Sequence, residues 1–268
     1  MIEKITSLQN PRIKNIIHLS KTTERRKQNL IVVEGFREIA LAFNSGFEIK
    51  ELYFSREVQL HPGSDDLFRQ LQETVKLTEV SKAIFEKIAY RDRSDGIIAL
   101  VEPKYPQPDD LILSANPILL VLESVEKPGN LGAILRTADA AALDAIIVCD
   151  PQTDIYNPNV IRSSLGCIFT KQVLTCTSIE AITFLKQKGI KSYAAALTAS
   201  LPYHETDFKC PCAIVMGSEA NGLTDAWLDK ADAKIKIPMF GKVDSLNVSA
   251  SAAILVFEAK RQRGFYTP

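Results

Sequence analysis

From residue 117 onward, short apolar runs alternate with stretches of helical period, and this alternation restricts the fold more than any other feature of the sequence. The pattern predicts strands near 117–123, 145–149, 190–196, 212–216 and 234–237, with helices near 130–142, 158–166, 178–188, 223–229 and 247–262. Ile118–Leu122 and Ala145–Cys149 are apolar at every position, as strands covered on both faces require. Strands separated by helices pair in parallel, because each crossover must travel back over the sheet before the next strand begins. Residues 112–268 therefore read as an α/β unit on a mainly parallel sheet.

Residues 1–102 follow a different order. A single amphipathic helix is expected over 10–28, opened by Pro11, with Ile13, Ile16, Ile17 and Leu19 as its apolar positions. A strand from Leu30 to Glu34 ends at Gly35, and 36–45 is helical again. Strands at 49–54, 74–77 and 96–101, with helices at 65–72 and 80–89, complete a smaller α/β domain. Its last segment, Arg91-Asp-Arg-Ser-Asp-Gly96, is densely charged. Residues 103–111 contain Pro103, Pro106 and Pro108 and no hydrophobic period, which marks a stiff linker.

The whole chain has a formal charge of zero, but its distribution is uneven. Residues 1–37 carry eight Lys/Arg against Glu3, Glu24 and Glu34, a net of +5. Within that stretch Arg12, Lys14, Arg25, Arg26, Lys27 and Arg37 are candidates for contact with RNA phosphates; a solvated helical face is the alternative. Five cysteines, an odd number, with Cys149 inside an apolar run, argue against a secreted disulfide framework. No apolar leader segment follows the N-terminus, and the apolar runs are too short to cross a bilayer. A cytoplasmic protein without a membrane partner is expected. Cys210-Pro-Cys212 lies near His204, but no fourth ligand follows at zinc spacing, so no metal is expected.

Three loops at predicted strand ends concentrate glycine and polar side chains, where open α/β sheets gather their ligands. The first runs from Glu126 to Asp139. Asn130 is its candidate helix cap, Leu131, Leu135, Ala138 and Ala142 share the buried face, and Arg136 lies off it, where an ion pair with Asp139 is the plain alternative. The second is Met216-Gly217-Ser-Glu219-Ala-Asn221-Gly222-Leu. Its glycine spacing resembles a phosphate loop, yet Leu223-Thr224 replaces the required Lys-Ser/Thr and Glu219 would repel phosphate, so a neutral or cationic ligand such as a sulfonium fits better. The third is Ile237-Pro238-Met239-Phe-Gly-Lys-Val-Asp-Ser245-Leu246-Asn247-Val-Ser249, with Ser245 or Asn247 as helix cap. Met216 and Met239 are more simply pocket or core fillers than redox sites.

In this order and spacing, the three loops resemble the SpoU (TrmH-type) branch of the SPOUT RNA methyltransferases over residues 117–260. The stretch from Asn10-Pro-Arg-Ile-Lys14 through Val33-Glu34-Gly35-Phe-Arg37 resembles that family's ribosomal-protein-like substrate-binding domain. The resemblance implies a trefoil-knotted catalytic sheet and a homodimer joined through the catalytic domain. It also implies S-adenosylmethionine held by Leu197, Thr198, Met216, Gly217, Gly222, Ile237, Pro238, Met239 and Leu246. Arg136, Asn130, Glu219, Ser245 and Asn247 match the family's catalytic positions.

The implied reaction is methyl transfer to a ribose 2′-hydroxyl, with ribosomal RNA favoured over transfer RNA. A guanidinium keeps its proton in proteins, so Arg136 reads better as a bidentate clamp on a neighbouring phosphate than as a base. The proton would leave through phosphate, Ser245 or water. A base-methylating enzyme and a catalytically silent RNA-binding knot protein are the alternatives.

Overall fold

A computed structural model describes residues 2–90 and 95–265; the charged residues 91–94 singled out above lie outside it. The chain divides into two compact units, one of residues 1–104 with 156–170, the other of 105–155 with 171–268.

In chain order the first unit opens with β1 (Glu3–Ile5), α1 (Pro11–His18), α2 (Thr22–Gln28), β2 (Ile31–Glu34), α3 (Phe36–Asn44) and β3 (Ile49–Phe54). It continues with α4 (Ser64–Leu71), β4 (Lys76–Val80), α5 (Lys82–Ile88) and β5 (Ile97–Val101). Its mixed five-stranded sheet has the order β1-β4-β3-β5-β2, with β3 and β2 antiparallel to β5. Ile13, Ile16 and Leu19 bury against Tyr53, Phe85 and Ile98 to form one core under α1.

The single helix expected over 10–28 is two helices, and Arg25 shows why. Between them the chain turns through Leu19–Lys21, freeing carbonyls that a continuous helix would have satisfied. The Arg25 guanidinium, 1% exposed, takes up those carbonyls: it donates to Leu19 O at 3.0 Å and Ser20 O at 2.8 Å, and to Thr22 Oγ1 at 3.0 Å. Arg25 is thus a structural residue and is withdrawn as a phosphate ligand.

Arg12 is withdrawn for a similar reason. It donates to Tyr53 Oη (3.1 Å) and Glu51 Oε2 (3.0 Å) on β3, Thr78 Oγ1 (2.7 Å) on β4 and Glu3 Oε2 (3.0 Å) on β1, pinning α1 to three strands. Lys14, Arg26, Lys27 and Arg37 remain exposed.

The second unit begins with β6 (Ile118–Glu123), α6 (Pro128–Ala140) and β7 (Ala145–Cys149). The next two helices, α7 (Pro158–Ser163) and α8 (Cys167–Thr170), belong to the first unit, although the sequence pattern placed this stretch in the catalytic half. Aromatic packing accounts for their position: Phe169 meets Phe47 edge-on at 5.0 Å, and Tyr156 Oη donates to Lys104 O at 2.6 Å.

The second unit resumes with β8 (Val173–Cys176), α9 (Ser178–Gln187), β9 (Lys191–Ala195) and β10 (Leu201–Pro202). It ends with β11 (Cys212–Met216), α10 (Asp225–Lys230), β12 (Ala233–Lys236) and α11 (Val248–Gln262). All pairings in the seven-stranded order β10-β12-β9-β11-β6-β7-β8 are parallel. Leu119, Val121, Ile147 and Val215 pack with Phe184, Leu185 and Trp227 on one face, while α6 and α11 cover the other. β1, β8 and β10 were not expected; β1 and β10, at three and two residues, are too short to show a period.

Arg25→Ala should lower the unfolding free energy by about 2–4 kcal/mol, since it strands buried carbonyls at a helix break. Urea denaturation followed by circular dichroism measures this, and a loss below about 0.5 kcal/mol, the range of ordinary surface changes, would show the break is held some other way.

Candidate active site

The four neighbouring strands β12, β9, β11 and β6 run parallel, so their carboxyl ends and the loops leaving them share one edge of the sheet. Four segments meet there: 124–127 after β6, 196–200 after β9, 217–224 after β11 and 237–247 after β12.

Glu219 joins three of them. Its Oε1 accepts from Asn130 Nδ2 at 2.8 Å and from Asn247 Nδ2 at 2.8 Å, and Asn247 Nδ2 also reaches Asn130 Oδ1 at 3.1 Å. Its Oε2 pairs with the Lys127 ammonium. The Lys127 hydrogen bond holds the Glu219 carboxyl below the ordinary carboxylate range, against the opposing effect of desolvation, and the Lys127 ammonium is raised in return.

Asn247 acts in two directions at once. Its Oδ1 caps α11 by accepting from Ser249 N at 2.9 Å, leaving its amide nitrogen for Glu219. Of the two caps considered, Asn247 is therefore the one used. Asn130 is not a cap: α6 starts two residues earlier, with Pro128 at its first position and Lys127 at the cap, so the Asn130 side chain is free to cross to Glu219. Ala142 is likewise misplaced by the periodic reading; the helix ends at Ala140, and Ala141 is buried in its stead.

Behind Glu219 lies a cleft of about 600 Å³. Eight of the nine cofactor residues inferred from sequence line it, and Pro238 does not. Of the five catalytic candidates, Glu219, Ser245 and Asn247 line it, while Asn130 and Arg136 stand outside the lining. Arg136 is exposed on α6 and makes no hydrogen bond or ion pair among the described residues. The Asp139 pairing considered for it is replaced by Lys171, 3.6 Å from Asp139.

Two glycines shape the wall. A Cβ on Gly217 would stand 2.1 Å from Gly222 C and 2.4 Å from Leu223 N, so no side chain fits. Ser218 and Gly222 exchange backbone hydrogen bonds of 3.1 and 3.0 Å, and Gly222 closes that turn at φ +68°, where L residues are strained.

The far end of this loop is tied down by a residue the sequence reading passed over. Glu123, 1% exposed at the end of β6, accepts from Thr224 N (2.8 Å), Thr224 Oγ1 (2.7 Å) and Ser178 Oγ (2.8 Å). A lone carboxylate closing an apolar strand was the available signal, because a buried charge must be hydrogen-bonded. Lys127 carried no comparable signal; only the fold brings it to Glu219.

Glu123→Ala should release Thr224, the residue preceding α10, and loosen the packing of Trp227, the single tryptophan of the chain. A red shift of tryptophan emission at unchanged far-ultraviolet circular dichroism is expected, and an unaltered spectrum would remove Glu123 as the anchor.

Comparison with known proteins identifies the family and the fold. Residues 117–257 match the SpoU rRNA Methylase family, and residues 10–99 match the MRM3-like substrate binding domain. The chain is 30% identical over 259 residues to the 23S rRNA (guanosine(2553)-2′-O)-methyltransferase RlmP of Bacillus subtilis (strain 168), covering 97% of this chain and 100% of that protein. The crystal structure of an RNA 2′-O ribose methyltransferase superimposes with a TM-score of 0.84 at 38% identity, over 97% of this chain and 99% of the other. The AdoMet-bound rRNA methyltransferase from Sinorhizobium meliloti superimposes with a TM-score of 0.90 at 28% identity, over 97% and 98%.

Proposed function

The chain belongs to the SpoU rRNA methylase family, and from that membership we propose that it transfers a methyl group from S-adenosylmethionine to a ribose 2′-hydroxyl of ribosomal RNA. The observation that carries the reading to these residues is the Glu219 carboxylate, which binds three loops together around one cleft.

The cleft suits the cofactor. Gly217 leaves its backbone bare where a side chain cannot fit, Met216 and Ile237 supply apolar surface, and Glu219 holds the loops of the wall in place. When bound by these residues, S-adenosylmethionine would supply an electrophilic methyl group on a positively charged sulfur, for in-line attack by a ribose oxygen. The chain's part is to bind, orient and remove a proton. Leu197, Thr198, Gly222, Met239 and Leu246 complete the cofactor wall. Asn130 and Asn247 hold the loops at Glu219. Arg136, without an internal partner among the described residues, is placed to clamp the RNA phosphate bidentately and orient the ribose. The hydroxyl proton leaves through phosphate, Ser245 or water.

Residues 1–102, joined by 156–170, serve as the substrate-binding part, 103–111 as a linker, and the rest of 112–268 as the methyl-transfer part. Lys14, Arg26, Lys27 and Arg37 supply salt-dependent affinity for phosphates without choosing the sequence. The catalytic unit acts as a homodimer: Phe240 (97% exposed), Val243 (65%) and Phe257 (41%) are apolar side chains that a second copy would cover, and Arg136 does not line the cleft of its own chain. A trefoil knot at the cleft belongs to the same reading, drawn from membership of the family. The protein works in the cytoplasm, where its RNA is; no helix among the described residues is long and apolar enough to cross a membrane.

Mapping 2′-O-methyl sites in total RNA with and without the protein tests the activity: one ribosomal position should depend on it, and a dependent position only in transfer RNA would redirect the substrate. Arg136→Ala should cut methyl transfer about 100-fold or more while S-adenosylmethionine still binds by calorimetry. A variant with full turnover would discard the clamp. Glu219 contributes as a carboxylate lowered in the folded state, so its contribution is complete above the ordinary value of 4.5 and is lost as pH falls through the lower folded value. Cofactor affinity should therefore stay level from neutral pH down to about 5 and fall only below that; a decline starting at pH 6 would point to another group.

A further inference from the structure

The first unit contains a cleft that the methyl-transfer machinery does not use. It is small, about 180 Å³, and its floor is apolar: Ile16 and Leu19 at α1, Ile88 at the end of α5 and Ile161 of α7 are all buried. Its rim has other chemistry. Tyr90 is 51% exposed there, beside the exposed cations Lys87 and Arg162. Neither cation forms a side-chain hydrogen bond or ion pair among the described residues. The tyrosine is held in place from behind, since its backbone N–H donates at 2.5 Å to Oε2 of Glu34, itself buried at the cleft.

An exposed aromatic side chain lining a cleft with an apolar floor, together with two cations that have no partner among the described residues, matches what an unstacked nucleotide needs. A flat base takes the ring and the floor, and its phosphates take the charges. The same unit carries further exposed cations, with Lys14 on the same helix as Ile16 and Arg26 and Lys27 on the next. Much of the cleft also falls within residues 10–99, the stretch matching a substrate binding domain. We infer that this cleft receives an unstacked nucleotide of the RNA substrate, its base against Tyr90 and its phosphates against Lys87 and Arg162. The inference rests on the reading of the first unit as RNA-binding. It adds a side-chain site that grips a single-stranded element, and it brings Arg162, which follows β7 in sequence, into substrate recognition.

The test separates binding from methyl transfer. The full-length protein is titrated into a fluorescein-labelled, single-stranded 12-nucleotide RNA of mixed sequence, without cofactor, and anisotropy is read at several salt concentrations. Tyr90→Ala should weaken binding about tenfold, and Tyr90→Phe should restore it, because the ring and not the hydroxyl does the stacking. Arg162→Ala and Lys87→Ala should each weaken binding and flatten its salt dependence, whereas Lys82→Ala, on α5 but outside the cleft lining, should do so far less. On 23S rRNA transcript, Tyr90→Ala should raise KM at unchanged kcat and unchanged S-adenosylmethionine affinity. Wild-type protein that fails to bind the single strand, or a Tyr90→Ala variant that binds it as wild type does, overturns the nucleotide site. Wild-type protein that binds the strand in a Tyr90-dependent way but neither binds S-adenosylmethionine nor methylates RNA upholds the site and overturns the proposed activity instead.

Discussion

The candidate site depends on one carboxylate and the company it keeps. Glu219 comes from the loop after β11, Lys127 and Asn130 from the start of α6, and Asn247 from the cap of α11, so three side chains from two other parts of the chain share the two oxygens of Glu219. Each loop alone would be a mobile surface segment. Bonded to one acceptor they form one wall of the cleft. Charge-assisted hydrogen bonds are stronger than neutral ones, so a single ionised acceptor can hold two amides and an ammonium.

That arrangement needs a stiff base, which the parallel sheet provides. With β12, β9, β11 and β6 side by side and pointing the same way, every loop that matters leaves from one edge. Glu123 secures the other end of the 217–224 loop from inside the sheet, and Gly217 and Gly222 let the loop fold onto itself without a side chain in the way. The first unit shows the same economy in its arginines. Arg12 joins three strands to a helix and Arg25 completes a helix break, so two of six basic residues that looked suited to RNA are spent on the fold itself.

Much of this was legible in the sequence, and the particular cases show why. β6, β7 and β11 fall where their apolar runs lie, because a strand buried on both faces must be apolar nearly throughout. The three loops were visible as glycine and polar residues at strand ends. The misreadings share a cause. The helix over 10–28 was read from apolar positions that end at Leu19, and the carbonyls taken up by Arg25 reveal the turn that follows them. Asn130 has the composition of a cap, but proline two residues earlier starts the helix sooner. Pro158–Thr170 has the pattern of a crossover, yet its aromatic partners, Phe47 among them, lie more than a hundred residues earlier.

By itself, then, the sequence determined the elements, the parallel character of the larger sheet and which loops would hold chemistry, since burial on one or two faces leaves a period readable over a few residues. Only the tertiary structure decided which charged side chains are spent inside the fold, that Lys127 meets Glu219, that Glu123 anchors Thr224, and that Tyr90, Lys87 and Arg162 border one cleft. Those outcomes depend on distances between residues far apart along the chain, and a local pattern of hydrophobicity carries no information about them.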